Sequence, residues 1–501
     1  MKKRTLTLLL ALLMLAANFA GCAESTVTDD TDAQADTAAT AAAAEETVEE
    51  TSPYLDELPD DLNFDDAEVN VYSRAHLRFD DEITVDELIG EVVNDAVYNR
   101  ELLVEERLGI SLINTRDGAD PHGNVSKMSE MVLAGTDEYD LFTSSMYSVV
   151  PEAIQGIFMD LNTLPYVDPS KPYYTQDYVN KARLGDALYT ITGDISLSLI
   201  RYSFAMYFNK QLIEDYKLED PYTTVSEGRW THDVMKSTIE NIYTDLNGDG
   251  KKNHDDFYGL GSSNVIIVDA YTSAYELGMM GMTDDGYPQI TVNQEKMSKV
   301  LDMIYELNFN TEGVRIYTET SDNNEMTDLL VPFSEDRFVF INNWIYATES
   351  EYLRDMESDY GIIPYPKYDE QQEGYYTFQH DQIGVFAVPI TTSVPDIAAA
   401  TLEALSSESR VSMVPQYYDV ALKGKYARDE ETKEMIDIIH NGHLLDPAWM
   451  YCLRIGNLAQ IPRNQMLAGQ HNFASVYKQS ERIYAKSLDR MIKDAMKLKE
   501  Q

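Results

Sequence analysis

The sequence predicts an α/β protein, and three observations carry that prediction. From residue 69 onward, short apolar runs alternate with helical segments, the βαβ rhythm of parallel strands covered by helices. A chain of 501 residues exceeds what one hydrophobic core organises, roughly 250–300 residues, so two or three domains are expected. With 44% hydrophobic and 25% charged residues the composition is that of an ordinary globular protein.

The N-terminus reads as an export address. Lys2, Lys3 and Arg4 precede an apolar run from Leu6 to Ala17, a charged n-region and an h-region too short to stay in a bilayer as a span. The run ends in Phe19-Ala20-Gly21-Cys22, which resembles the lipobox of bacterial lipoproteins. That resemblance implies a signal peptide over 1–21, cleavage before Cys22, and a lipid on its thiol; two acyl chains give stable anchoring where one does not. Sixteen Asp or Glu and no Lys or Arg lie between Ala23 and Ser73, so 22–66 reads as an acidic, disordered tether. With Cys22 lipidated, Cys452, the other of two cysteines, has no intramolecular partner. The expected location is the outer face of a bacterial cytoplasmic membrane.

In the body, Val69–Tyr72 alternates as a strand, and a helix over about 91–108 follows, with Val93, Val97, Leu103 and Leu108 on one face. Gly109 ends it and Ile110–Ile113 reads as the next strand. A helix around 127–133 leads to the strand Tyr139–Phe142 and then Thr143-Ser144-Ser145. In open α/β sheets the ligand crevice lies beyond the carboxyl ends of the strands, where Arg74, Ser145 and Tyr147 fall. Ser203–Phe208 starts a second α/β region, with Thr231 as the N-cap of a helix. Phe338–Ile341, Tyr360–Ile363 and Ile383–Val388 read as further strands, and 395–405 as a helix. A last helix over 477–498 presents Tyr484, Leu488, Met491 and Met496 as core positions.

Three stretches together carry a family likeness. Phe333-Ser334-Glu335-Asp336-Arg337-Phe338-Val339-Phe340-Ile341-Asn342-Asn343-Trp344 resembles the segment of extracellular solute-binding proteins of ABC importers (family 1, which includes the maltose-binding protein) where a strand delivers a tryptophan to the ligand cleft. Tyr360–Lys367 follows at the family's spacing, and then the Ile383–Val388 strand with its helix. Upstream, Asp140-Leu141, Phe208-Asn209-Lys210, Pro221-Tyr222 and Gly228–Thr231 are also similar to this family. The resemblance implies a periplasmic-binding-protein-like fold of type II: two α/β lobes joined by crossing hinge strands, with the ligand between them. Carried onto this chain, lobe one spans 68–196 and 372–412, and lobe two spans 197–371 and 413–501.

Carbohydrate suits a chain with 34 tyrosines and three tryptophans, because sugar C–H faces pack on aromatic rings while hydroxyls need oriented donors and acceptors. Trp344 is the first candidate platform, from its match to the family segment, and Trp449 the second. Trp230, just before a helix N-cap, reads as a core anchor. Arg74, Ser145, Tyr147, Gln379, His380 and Asp381, near strand ends, are candidate polar contacts. The sharpest local motif is Asp245-Leu246-Asn247-Gly248-Asp249-Gly250-Lys251-Lys252-Asn253-His254-Asp255-Asp256, with oxygen side chains at loop positions 1, 3, 5 and 9 and glycine at 6. It predicts a structural Ca2+ site of Asp245, Asn247, Asp249, the Lys251 carbonyl, Asn253 and Asp256. The departure is position 12, aspartate where the pattern has glutamate, which shortens bidentate reach.

Charge excludes one class of partner. The 39 Lys plus Arg against 86 Asp plus Glu give −47, a field that repels nucleic acid and anionic headgroups. No Gly-x-Ser-x-Gly elbow, His-Glu-x-x-His or phosphate-binding glycine loop occurs. The expectation is therefore a non-enzymatic, monomeric receptor that binds an oligosaccharide and delivers it to ABC permease subunits. Two alternatives remain: a glycan-active enzyme, needing two carboxylates across the cleft, and a sensor subunit reporting to a membrane kinase.

Overall fold

The computed structural model describes residues 54–498 other than 77–80, 119, 264, 318–324 and 427–428. The expected signal peptide, Cys22 and the expected tether as far as residue 53 lie outside the described residues. Two larger sheets organise the body. The first runs, in spatial order, Gly384–Ala387, Leu141–Ser145, Ala67–Arg74, Ile110–Asp117. Ala67–Arg74 pairs in parallel with both neighbours, as the βαβ rhythm requires, while Gly384–Ala387 arrives antiparallel. The second runs Tyr360–Ile363, Phe204–Asn209, Phe338–Trp344, Phe257–Ser263, Tyr243–Thr244, with Val314–Tyr317 also on Phe257–Ser263. Here the expectation of parallel strands is only partly met: Phe204–Asn209 enters directly from the crossing out of the first lobe and runs antiparallel to both neighbours.

The helices are set by local chemistry. Glu91 caps helix Val92–Leu108 through its carboxylate, and Gly109, at φ 59°, closes it in the left-handed region that favours glycine. Asp120 caps Pro121–Leu133, with proline in the first turn, where its missing N–H costs nothing. Thr231 caps His232–Ile239, its hydroxyl accepting from the Val234 N–H, and Trp230 is buried against Phe340 with its indole N–H on the Pro364 carbonyl. Two apolar positions differ from expectation. Leu103 is 49% exposed, because Val104, eleven residues after Val93, completes three turns and takes the inward position. Met496 is 45% exposed, and Ala495 is its buried neighbour.

The chain crosses between the sheets through 197–203, again before Gly384, and once more after helix Pro395–Glu408. At the crossing, Thr377–Phe378 pairs with His443–Leu444, and Ser203 bridges Gln379. The last region also contacts the first lobe: Arg454 donates to the Pro151 carbonyl and Glu152 at 3.0 and 2.9 Å. Helix Phe473–Leu498 packs on both Gln294–Tyr305 and Ala153–Gln155.

Residues 54–66, assigned by composition to the tether, are strapped to the first lobe. Leu58 is buried, and the Asp56 carboxylate takes the Arg107 guanidinium in a bidentate pair at 2.6 and 2.8 Å. The Tyr54 ring lies 3.5 Å from the same guanidinium, and the Phe64 N–H donates to the Leu108 carbonyl. Composition averaged over the whole acidic stretch hides the apolar spacing Leu58, Leu62, Phe64 at its end, all of which pack on the core.

Burial raises the Asp56 pKa, but Arg107 and the hydrogen bonds outweigh it and leave the carboxyl below its ordinary value. A depressed carboxylate contributes stability above its unfolded pKa, ~3.9, that is lost as the pH falls through the folded value. Asp56→Ala is expected to cost about 3 kcal/mol at pH 7, the low end for breaking a buried pair. In urea titrations that deficit should shrink below about pH 4.

Candidate functional site

The carboxyl ends of both sheets converge on one cleft. Ala67–Arg74 delivers Arg74, and Leu141–Ser145 delivers Ser145 beside it; Arg74 Nη1 donates to Ser145 Oγ at 2.6 Å and to Gln382 Oε1 at 3.2 Å. The chain entering Gly384–Ala387 lies alongside: the Tyr147 N–H donates to the Asp381 carbonyl at 3.0 Å, and the Met146 N–H to the Ile383 carbonyl. From the second sheet, Phe338–Trp344 ends at Trp344, which is 4% exposed. Its ring meets Tyr202 and His380 nearly at right angles, with centroids 5.2 and 5.7 Å apart, while Tyr202 stacks on His380 at 4.9 Å. Arg74, Ser145, Tyr147, His380, Asp381 and Trp344 are thus brought together. Gln379 is not: its Nε2 donates to the Leu199 carbonyl, so it belongs to the crossing.

A second charged pair, not singled out from the sequence, faces this group. Asp269, in the first turn of helix Ile266–Ala274, is 1% exposed, and its Oδ2 takes both Nε and Nη2 of Arg463. The Arg463 guanidinium lies 5.2 Å from the Trp449 ring, which also packs against Phe378 at 5.6 Å. Burial pushes the Asp269 carboxyl up to about 7 against the pull of Arg463. Asp381 goes the other way: burial raises it, and the positive charge of His380 and Arg463 brings it below the ordinary carboxylate range. The Gln382 N–H and an Asp381 carboxylate oxygen lie 2.9 and 3.0 Å from the same His380 nitrogen, Nδ1, so the ring's proton decides which of the two it bonds.

Polar atoms buried without a hydrogen-bond partner among the described residues include Ser144 Oγ, Ser262 Oγ, Asp269 Oδ1 and Asn342 Oδ1 at these strand and helix ends. Leaving such groups unpaired costs about 1–3 kcal/mol each. The missed residues share a cause. Phe257–Ser263 carries two glycines, which weaken any strand signal. They are needed for close approach: a Cβ on Gly259 would stand 2.7 Å from the Ile239 carbonyl oxygen, and one on Gly261 would stand 3.0 Å from the Phe338 ring. Without that strand its end, and hence Ser262 and Asp269, could not be placed.

The loop 245–256 joins Tyr243–Thr244 to Phe257–Ser263, with Gly248 and Gly250 at φ 73° and 72°. Its oxygen side chains organise its own backbone. Asp245 accepts from the Gly248 and Gly250 N–H groups, Asn247 from Asp249, Asp249 from Lys251, Asn253 from Asp255, and buried Asp256 from Leu246 and Asn253. Among the described residues no three Asp, Glu, His or Cys side chains converge closely enough to hold an ion. Each carboxylate oxygen in use keeps a further lone pair, so the donor set suits a hard cation in chemistry.

No family model and no curated protein matches the sequence. Solved structures do match in fold. The galacto-N-biose/lacto-N-biose I-binding protein of the ABC transporter from Bifidobacterium longum superposes with a TM-score of 0.55 at 12% identity, covering 86% of this chain and 98% of that one. An ABC transporter solute-binding protein from Thermotoga lettingae, bound to α-D-tagatose, gives 0.52 at 16%, covering 84% and 100%. The GacH receptor of Streptomyces glaucescens, solved unliganded and with acarbose, gives 0.51 at 14%, covering 86% and 99%. The chain therefore has the two-lobed, type II fold of ABC-transporter solute-binding proteins.

Removing Arg463 tests the electrostatics of the cleft. Asp269 has a raised folded pKa, so its contribution to stability falls as pH rises from ~3.9 to about 7 and is then constant. Without its cation the carboxyl shifts further up and the fall continues above 7. Arg463→Met is expected to cost roughly 3–5 kcal/mol, with the larger loss at pH 8 than at pH 6 in urea denaturation; a deficit independent of pH would show that the pair is not coupled.

Proposed function

We propose that this protein is the ligand-binding component of an ABC importer and that its ligand is a carbohydrate, held between the lobes and passed intact to the permease. One observation carries the reading: where the strand ends of the two lobes converge, the buried Trp344, Tyr202 and His380 rings meet, and Ser144, Ser262 and Asp269 carry buried oxygens unpartnered among the described residues. A sugar supplies what both sets lack. Its hydroxyls donate and accept, answering the oxygens, and its C–H faces pack on aromatic surface. The similar structures support this class: the Bifidobacterium protein was solved with lacto-N-biose, the Thermotoga one with tagatose and GacH with acarbose.

The lobes act as a two-state element. Trp344 and Asp269 are covered in the closed arrangement, so a ligand reaches them when the lobes part and favours closure by contacting both. No bond is made or broken, and no residue is assigned a catalytic role. The lipid on Cys22 anchors the monomer at the outer face of the cytoplasmic membrane. Ca2+ bound by Asp245, Asn247, Asp249, the Lys251 carbonyl, Asn253 and Asp256 clamps the loop that precedes Phe257–Ser263.

Calorimetric titration of the full chain against a glycan panel tests the ligand class. Trp344→Ala should lose about 1–3 kcal/mol of sugar binding; unchanged affinity removes that ring from the site, and glycan turnover in product analysis overturns the receptor reading. For the metal, a hundredfold excess of Ca2+ over Kd should stabilise the fold by about 2.7 kcal/mol, read as a higher melting temperature that chelator reverses. Asp245→Ala should abolish that response, and a wild-type protein indifferent to Ca2+ rules the clamp out.

A further inference from the structure

The last helix carries a charge pattern that the cleft does not use. Phe473–Leu498 holds six Lys or Arg and three Asp or Glu, a net +3 in a chain of net −47. At about 100° per residue, Lys478, Arg482, Lys486, Arg490, Lys493 and Lys497 fall within an arc of about 120°. That arc stands opposite the buried face of Phe473, Tyr477, Tyr484, Leu488, Met491 and Ala495, and all six basic residues are exposed.

Most of this charge is unanswered within the body. Arg490 and Lys497 share Asp494, at 3.7 and 2.7 Å, and Asp489 is the one acid inside the arc. Lys478, Arg482, Lys486 and Lys493 make no ion pair or side-chain hydrogen bond among the described residues. With 86 acids to 39 bases, a base elsewhere finds a carboxylate easily, as Lys127, Lys171 and Lys181 do. Four unpaired bases on one face are therefore the exception.

The complementary charge lies at the other end of the chain. Residues 23–53, outside the described residues, hold nine Asp or Glu and no Lys or Arg, with four of the acids in 29–36 and four in 45–50. The described chain begins at Tyr54, against Arg107 of the first lobe. The 31 residues from 23 to 53 can extend to about 100 Å. A body of about 450 residues has a radius of gyration of about 22 Å, so the helix is within their reach. An external polyanion approaches against the net negative field, whereas this segment is already joined to the body, at an effective concentration in the millimolar range.

We propose that the basic face of Phe473–Leu498 is a docking surface for the acidic residues 23–53 of the same chain. The helix packs on both Gln294–Tyr305 and Ala153–Gln155, so the docked segment runs along an element shared by the two lobes. Strap and segment together then fix which side of the body is turned toward Cys22. The attraction acts at contact range, since the Debye length is about 8 Å at physiological salt.

Zero-length carbodiimide coupling of the full chain, read by mass spectrometry, tests this. At low salt, Lys478, Lys486 and Lys493 should form amide links to acids between Glu24 and Glu50 about tenfold more than Lys217, an exposed second-lobe lysine without an ion pair. The excess should vanish at about 1 M salt, where the Debye length is about 3 Å. Arg482→Glu with Lys486→Glu, two exposed changes that leave the other lysines as reporters, should bring Lys478 and Lys493 down to the Lys217 yield. In an equal mixture of isotope-labelled and unlabelled protein the links should stay within one molecule. Yields equal to that of Lys217, an excess indifferent to salt or to the double substitution, or links between labelled and unlabelled copies overturn the proposal. Sedimentation with phosphatidylglycerol vesicles but not phosphatidylcholine vesicles, in the absence of these links, assigns the face to lipid headgroups and overturns it as well.

Discussion

Arg201 sits where the chain first leaves one sheet for the other, with Asp81 of the first lobe and Glu349 of the second on either side of its guanidinium. The bidentate contact to Asp81 is made at 2.6 and 2.8 Å and the contact to Glu349 at 3.0 Å, while the Tyr417 hydroxyl donates to Glu349 at 2.7 Å from the third crossing. Burial disfavours the charge, and the two carboxylates outweigh it, so the Arg201 pKa stands well above its ordinary value. Three separate stretches of chain are thereby fixed on one permanent cation. Glu349 follows Trp344 by five residues, so the same ion network that aligns the crossing also sets the base of the strand that delivers the cleft tryptophan.

The cleft inherits that alignment. Its charges come as opposed neighbours: Asp269 with Arg463, and Asp381 with His380 and Arg463 nearby. Burying ions in this way is expensive unless every charge is matched. Asp269 Oδ1 stays unpartnered among the described residues even though its other oxygen holds Arg463. Trp449 and Trp230 illustrate the two uses of an aromatic: one flanks Arg463 at the edge of the cleft, the other is sealed beneath Phe340.

What could be read from the sequence follows from which signals are local. Gly109 and Thr231 announced helix ends because capping is a matter of one or two residues. Tyr360–Ile363 was readable because a fully buried strand is an unbroken apolar run. Arg74 and Ser145 were placed at strand ends by the strand pattern, and Trp344 by its match to the family segment. Asp269 and Arg463 were not, since one follows a glycine-bearing strand and the other sits in a helix, Ile461–Leu467, with no motif to mark it. The antiparallel entry of Phe204–Asn209 is likewise a property of the crossing, set by residues distant in sequence.

The strap over residues 54–66 has a mechanical corollary. Tyr54 and Asp56 are clasped to Arg107 of helix Val92–Leu108 in the first lobe, and Leu58 is buried beside them. A pull applied to the chain at Tyr54 is therefore transmitted first to that helix, and through it to the sheet on which the helix packs.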